Sequence, residues 1–109
     1  MTQSSPPSVI LKGLGSYAPD TVLTNEALSK RVDTSDEWIV TRTGIRERRI
    51  ASEDQACSDL GVTAARQALD HAGITPGQVD MIIVATITPD MLFPSTACII
   101  QKKLGLTQI

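Results

Sequence analysis

Aromatic residues are nearly missing from this sequence of 109 residues, at 3%: a single Phe, a single Tyr and a single Trp. Any core must therefore be built from Ala, Val, Leu and Ile, and the lone Trp38 stands out. Cysteine is as scarce. Cys57 and Cys98 are too few and too far apart to suggest a disulfide framework or a zinc site, so both are expected to be reduced thiols acting as small buried hydrophobes, and no metal is implied. There is no excess of positive charge either: 10 Lys and Arg stand against 12 Asp and Glu, for a net charge of -2 and a pI near 5.2. That balance excludes the electrostatic footprint of a nucleic-acid or anionic-membrane binder. No apolar run approaches the ~20 residues of a membrane span, and Met1 to Ser8 has neither the positive nor the apolar region of a secretory signal. A cytoplasmic location is expected.

What is present is a globular composition, with 41% hydrophobic and 20% charged residues and a mean hydropathy of +0.02. After a Ser/Pro-rich leader over residues 1–8, expected to be flexible, residues 9–109 read as one α/β unit. Val9, Ile10, Leu11 and Leu14 run into Gly15 and Pro19, the pattern of a first strand and its turn. Thr24 is a plausible N-cap for a short helix to Val32. Thr34 and Glu37 have the spacing of a capping box opening a second helix, which Gly44 stops. Ile45 to Ile50 reads as an extended, basic crossover. Ala56, Leu60, Ala64, Ala68 and Ala72 then recur every four residues, which predicts an amphipathic helix closed by Gly73.

Thr75, Pro76 and Gln78 predict a single capped turn. Met81 to Ile87 is a continuous apolar run of the kind buried on both faces of a parallel sheet. Ser95 caps a last helix to Leu104, with Gly105 after it, and Leu106 to Ile109 reads as the approach to a third strand. Two buried-type strands separated by helices make a βαβ layout that needs further strands and helices to cover it. From topology, the chain is expected to be part of a larger fold.

Trp38 and Arg42 lie one helical turn apart and project from the same face, so their flat groups can stand as parallel plates. An indole and a guanidinium so placed can hold a planar heterocycle such as adenine by stacking and cation-π attraction, worth roughly 0.5 to 2 kcal/mol per face. The same spacing also suits a Trp that anchors the helix to the core with Arg42 covering its ring. His71, near a helix C-terminus, reads as a surface residue. Arg46, Arg48 and Arg49 read as a solvated charge run that can also steer acidic partners or phosphates. Gly13 and Gly15 follow a strand, but the third glycine of a dinucleotide fingerprint is missing.

The run DTSDEWIVTRTGIRER, Asp33 to Arg48, resembles the signature segment of the ketoacyl-ACP synthase III family. Gly13 to Pro19, Ala72-Gly-Ile, Val84-Ala-Thr and Phe93-Pro-Ser surround it in family order, so the resemblance covers nearly everything after Ser8. It implies the amino-terminal part of a thiolase-like layered αβαβα fold. It also implies that Trp38 and Arg42 sandwich the adenine of coenzyme A with Thr34 at the same site, and that Phe93 reaches across a homodimer to close the partner's acyl pocket. Phe93 read without the resemblance is an ordinary apolar anchor before a helix.

In this family a Cys, a His and an Asn act together: the thiolate takes an acyl group from acyl-CoA, and malonyl-ACP is decarboxylated and condensed onto it. None of the three is matched here, and they are expected beyond Ile109. The resemblance thus implies acyl-CoA and acyl carrier protein as partners, coenzyme A as substrate rather than cofactor, and no activity for these residues alone. A related acyltransferase of secondary metabolism and a non-catalytic adenine-nucleotide module are the alternatives.

Overall fold

A computed structural model describes residues 7–107 and 109, so most of the leader lies outside the described residues. The element order is β1 (Thr21–Thr24), α1 (Asn25–Ser29), α2 (Asp36–Thr43), β2 (Glu47–Ile50), α3 (Cys57–Ala72), a 3-10 turn (Pro76–Gln78) and α4 (Thr96–Leu104). The one sheet among the described residues is a two-stranded antiparallel pair in which Thr21 faces Ile50 and Thr24 faces Glu47.

The helix boundaries follow local chemistry. Thr24 caps α1, its hydroxyl accepting from the Ala27 N–H at 3.1 Å. That helix stops at Ser29, short of the expected Val32. The cap of α2 is Ser35 rather than Thr34: the Ser35 hydroxyl accepts from the Trp38 N–H at 3.1 Å, and Asp36 and Glu37 occupy the first turn, where the helix dipole favours negative charge. Gly44 ends α2 at φ 73, a left-handed conformation open to glycine at no steric cost. In α3 the Asp59 carboxylate reaches back to the Ala56 N–H at 2.9 Å, and at the 3-10 turn the Gln78 side chain accepts from the Thr75 N–H at 2.9 Å. Ser95 caps α4 as the sequence predicts.

Helices α3 and α4 pack on each other, with Val62 and Ile100 buried. A Cβ on Gly61 would sit 3.0 Å from the Ile100 side chain, which places α4 tightly over that point of α3. A polar cluster seals one end. Asp90 accepts from both the Ser58 N–H at 2.8 Å and the Ser58 hydroxyl at 2.6 Å, while Lys103 donates to the Ser58 hydroxyl at 2.7 Å and to Asp59 at 2.6 Å. Lys103 and the Ala56 N–H together hold the Asp59 carboxyl below the usual carboxylate range.

The expected strands at Ser8–Tyr17 and Met81–Ile87 do not form. Neither stretch joins a ladder, and in the second Ile82 and Val84 are half-buried while Ile83 is 85% and Ile87 96% exposed. A strand is stable only when a neighbouring strand takes up its N–H and C=O groups, and no described strand pairs with either stretch. In Leu106–Ile109, read from the sequence as the approach to a third strand, Leu106 is buried and its carbonyl accepts from the Gln101 amide at 3.2 Å.

The first stretch is nonetheless placed. Cβ atoms on Gly13 and Gly15 would collide with the Ala68 and Ala64 carbonyls, so these glycines let the backbone lie directly on the alanine ridge of α3. The His71 Nδ1 accepts the Leu14 N–H at 3.1 Å, giving that exposed histidine a structural partner. Between the two stretches and α3 lies an open apolar cleft of about 390 Å³, lined by Gly13, Ala68, Leu69, Ile83, Ile100 and Leu104 among others.

Candidate functional site

Helix α2 carries the two residues singled out from its spacing. The Arg42 guanidinium carbon lies 5.4 Å from the centroid of the Trp38 ring, within cation-π range. Trp38 is 55% exposed, whereas Ile39, one residue on, is buried. The anchor of the helix is therefore Ile39, which leaves the indole free of that task. The other half of the bland reading does hold, because Arg42 covers the ring.

A flat heterocycle between two plates needs roughly 7 Å of separation, twice the ~3.5 Å contact distance of stacked atoms. Trp38 and Arg42 are closer than that. Admitting an adenine requires Arg42 to swing outward, which its long exposed side chain can do by rotamer changes alone. Two shallow depressions share Ser35 and Trp38. One, of about 340 Å³, is completed by Asp33 and Thr34, and the other, of about 350 Å³, by Glu37, Thr41 and Arg42. Thr34, displaced from the capping role, is thus beside the indole with its hydroxyl uncommitted to the α2 cap.

The mounting of α2 is polar, and sequence reading missed it. Asn25 is 1% exposed. Its amide donates to Asp36 Oδ1 at 2.8 Å and to the Ile45 carbonyl at 2.7 Å, and its Oδ1 accepts from Arg48 at 2.8 Å. Arg48 also reaches the Leu23 carbonyl at 3.5 Å, and Arg49 donates to the Pro19 carbonyl at 3.1 Å. Two members of the supposed solvated charge run are therefore structural. A residue-type signal was available: asparagine in a first helical turn, next to a threonine cap, invites the question of what its amide binds.

Phe93 stands 89% exposed beside Leu92 at 100%, on the loop that Asp90 ties to the start of α3. It does not anchor α4, which corrects the ordinary reading of that residue. Cys98 is exposed and next to the Ser95 hydroxyl at 3.2 Å, and Cys57 is half-buried with Thr86 at 3.6 Å, so neither is the fully buried thiol expected. Cys98 lies off the covered face of α4, which carries the buried Thr96 and Ile100. Among the described residues no group of His, Cys, Asp or Glu is placed to hold a metal ion, and no helix is long and apolar enough to cross a membrane.

No family model matches the chain. Individual proteins do. It is 57% identical over 103 residues to the beta-ketoacyl-[acyl-carrier-protein] synthase III of Laribacter hongkongensis, covering 94% of this chain and 32% of that protein. The crystal structure of 3-oxoacyl-[acyl-carrier-protein] synthase III from Aquifex aeolicus superposes with a TM-score of 0.83 at 51% identity, over 90% of this chain and 32% of that one. The priming beta-ketosynthase of the R1128 polyketide pathway gives 0.80 at 41% identity, over 87% and 28%.

The backbone matches part of the thiolase-like fold class. Within that class the chain is a homologue of beta-ketoacyl-[acyl-carrier-protein] synthase III, and it spans about a third of the length of the relatives it matches.

Proposed function

We propose that this chain forms the coenzyme A recognition part of an enzyme of ketoacyl-ACP synthase III type, which moves an acyl group from acyl-CoA to a cysteine and condenses it with malonyl-ACP to start fatty acid synthesis. The observation that carries the reading is the exposed Trp38 and Arg42 pair on a helix whose sequence, Asp33 to Arg48, is the segment resembling that family. Trp38 and Arg42 hold the adenine between them, and Thr34 contacts the nucleotide from the adjoining depression. Adenine is far along the coenzyme from the reacting thioester. Binding energy gathered there positions the thioester for attack without taking part in the chemistry.

The chemistry itself falls to a Cys, a His and an Asn outside these residues, in two balanced steps. The cysteine thiolate attacks the thioester carbonyl and expels the thiolate of coenzyme A. Decarboxylation of malonyl-ACP then gives the carbanion equivalent that attacks the acyl-enzyme and returns the cysteine thiolate. The exposed Met91-Leu92-Phe93 tip fits the role of closing the acyl pocket of a second protomer. Curated synthase III proteins reach 63% identity with this chain against 41% for the polyketide ketosynthase, which favours the fatty acid reading over secondary metabolism. The bare apolar faces at Ile83 and Ile87 disfavour a self-sufficient binding module.

Calorimetric titration of the full-length protein with coenzyme A tests the reading. Trp38→Ala is expected to weaken binding by about 1 to 2 kcal/mol, the scale of a lost stacking face. Unchanged affinity in both Trp38→Ala and Arg42→Ala proteins would remove the adenine site.

A further inference from the structure

We infer that Asn25 is the positioning residue for the Trp38 and Arg42 plates, an inference that rests on their reading as an adenine site. Three geometric facts support it. Asp36 is the first residue of α2 and Ile45 follows the Gly44 cap, so the two hydrogen bonds from one buried amide, 2.8 and 2.7 Å long, reach both ends of the helix that carries the plates. The amide plane is itself fixed, because its oxygen accepts from Arg48 of β2 at 2.8 Å. The helix has a single buried side chain, Ile39.

One apolar contact holds a helix down but leaves it free to rotate about that point. The two bonds from Asn25 remove this freedom. The indole centre stands roughly 6 Å or more from the helix axis, well outside the ~2.3 Å Cα cylinder, so a 20° rotation displaces it by about 2 Å. Arg42 rides on the same helix and moves with the indole, so the shift leaves the plates' spacing alone but carries the adenine seat out of register with the groups that hold the rest of the coenzyme. Asn25 also suits the place chemically: an uncharged side chain with two donors and one acceptor meets a carboxylate, a carbonyl and a guanidinium with nothing left over. Any aliphatic replacement orphans the Ile45 carbonyl and one face of Arg48.

The test uses the full-length protein with coenzyme A as titrant and acyl-CoA as substrate. Asn25→Ala is expected to weaken coenzyme A binding about tenfold, comparable to losing a plate, and to raise KM for acyl-CoA with kcat at saturation retained. In a Trp38→Ala, Arg42→Ala background the same substitution should change affinity by less than about twofold, because the plates it positions are gone. Asn25→Asp keeps the volume and the Arg48 contact but sets two carboxylates against each other at Asp36, and serves where Asn25→Ala does not fold.

Unchanged affinity in a folded Asn25 variant, with Trp38→Ala still harmful, overturns the positioning role and leaves the adenine site standing. Equal losses with and without the plates, or a fall in kcat alone, also overturn it. No effect of Trp38→Ala and Arg42→Ala together overturns the adenine site beneath it.

Discussion

Residues 21–50, two strands and two helices, and residues 57–104, two helices and a 3-10 turn, complete themselves differently. In the first region each strand has its partner, and buried Asn25 has partners for all its polar groups. In the second, α3 and α4 cover one another, but the faces toward the apolar cleft and the stretch Met81–Ile87 stay bare. The first region satisfies its strand ladder and its buried amide from within, although Val22, Val32, Ile45 and Ile50 stay exposed. The second leaves apolar faces that no described segment covers. Helix α2, with Trp38 and Arg42, is thus mounted on the region whose polar groups are satisfied from within.

The largest expected effect is in the second region. Ile100→Ala removes a buried side chain packed over Gly61 and should cost about 2 to 5 kcal/mol. Amide exchange should accelerate throughout α3 and α4 and leave α2 unchanged. Equal acceleration in α2 would erase the distinction between the regions.

A smaller effect sharpens the first region. Ser35→Ala removes the cap of α2 and should lower stability by about 1 kcal/mol, whereas Thr34→Ala should leave it unaltered. Denaturant midpoints of the two variants separate the roles, and coenzyme A affinity should fall for Thr34→Ala alone beyond what stability explains.

The smallest effect is electrostatic. Asp59 is held below its ordinary value of 3.8, first by Lys103 and then by the Ala56 N–H. A carboxyl depressed on folding stabilises fully above its unfolded value, and this contribution fades as pH falls from about 3.8 through the lower folded value. Acid titration of α3 and α4 should show that loss, and Asp59→Asn should flatten it. The pair is partly exposed, so added salt should shrink the difference.

Legibility in the sequence followed the range of the interaction. The alanine ridge, the glycine stops at Gly44, Gly73 and Gly105 and the Ser95 cap depend on neighbours within a turn or two, and all are found where the sequence places them. The α2 cap slipped by one residue because Thr34 and Ser35 offer the same hydroxyl. The β1–β2 pairing was hidden, since Glu47-Arg-Arg-Ile lacks the apolar alternation of a strand and owes its order to a partner on the far side of α1 and α2. Asn25 was missed for the same reason: Asp36, Ile45 and Arg48 are remote in sequence. The stretch Met81–Ile87 failed in the opposite sense, its pattern being that of a buried strand in a fold larger than these residues.

The central claim is that the Trp38 indole is one wall of an adenine site. The most direct measurement is Trp38 emission, isolated by subtracting the Trp38→Phe protein, during titration with coenzyme A, with its adenosine-bearing half and with pantetheine. The account predicts saturable quenching by coenzyme A and by the adenosine-bearing half, and none by pantetheine. Quenching by pantetheine alone, or no response to any of the three, would contradict it.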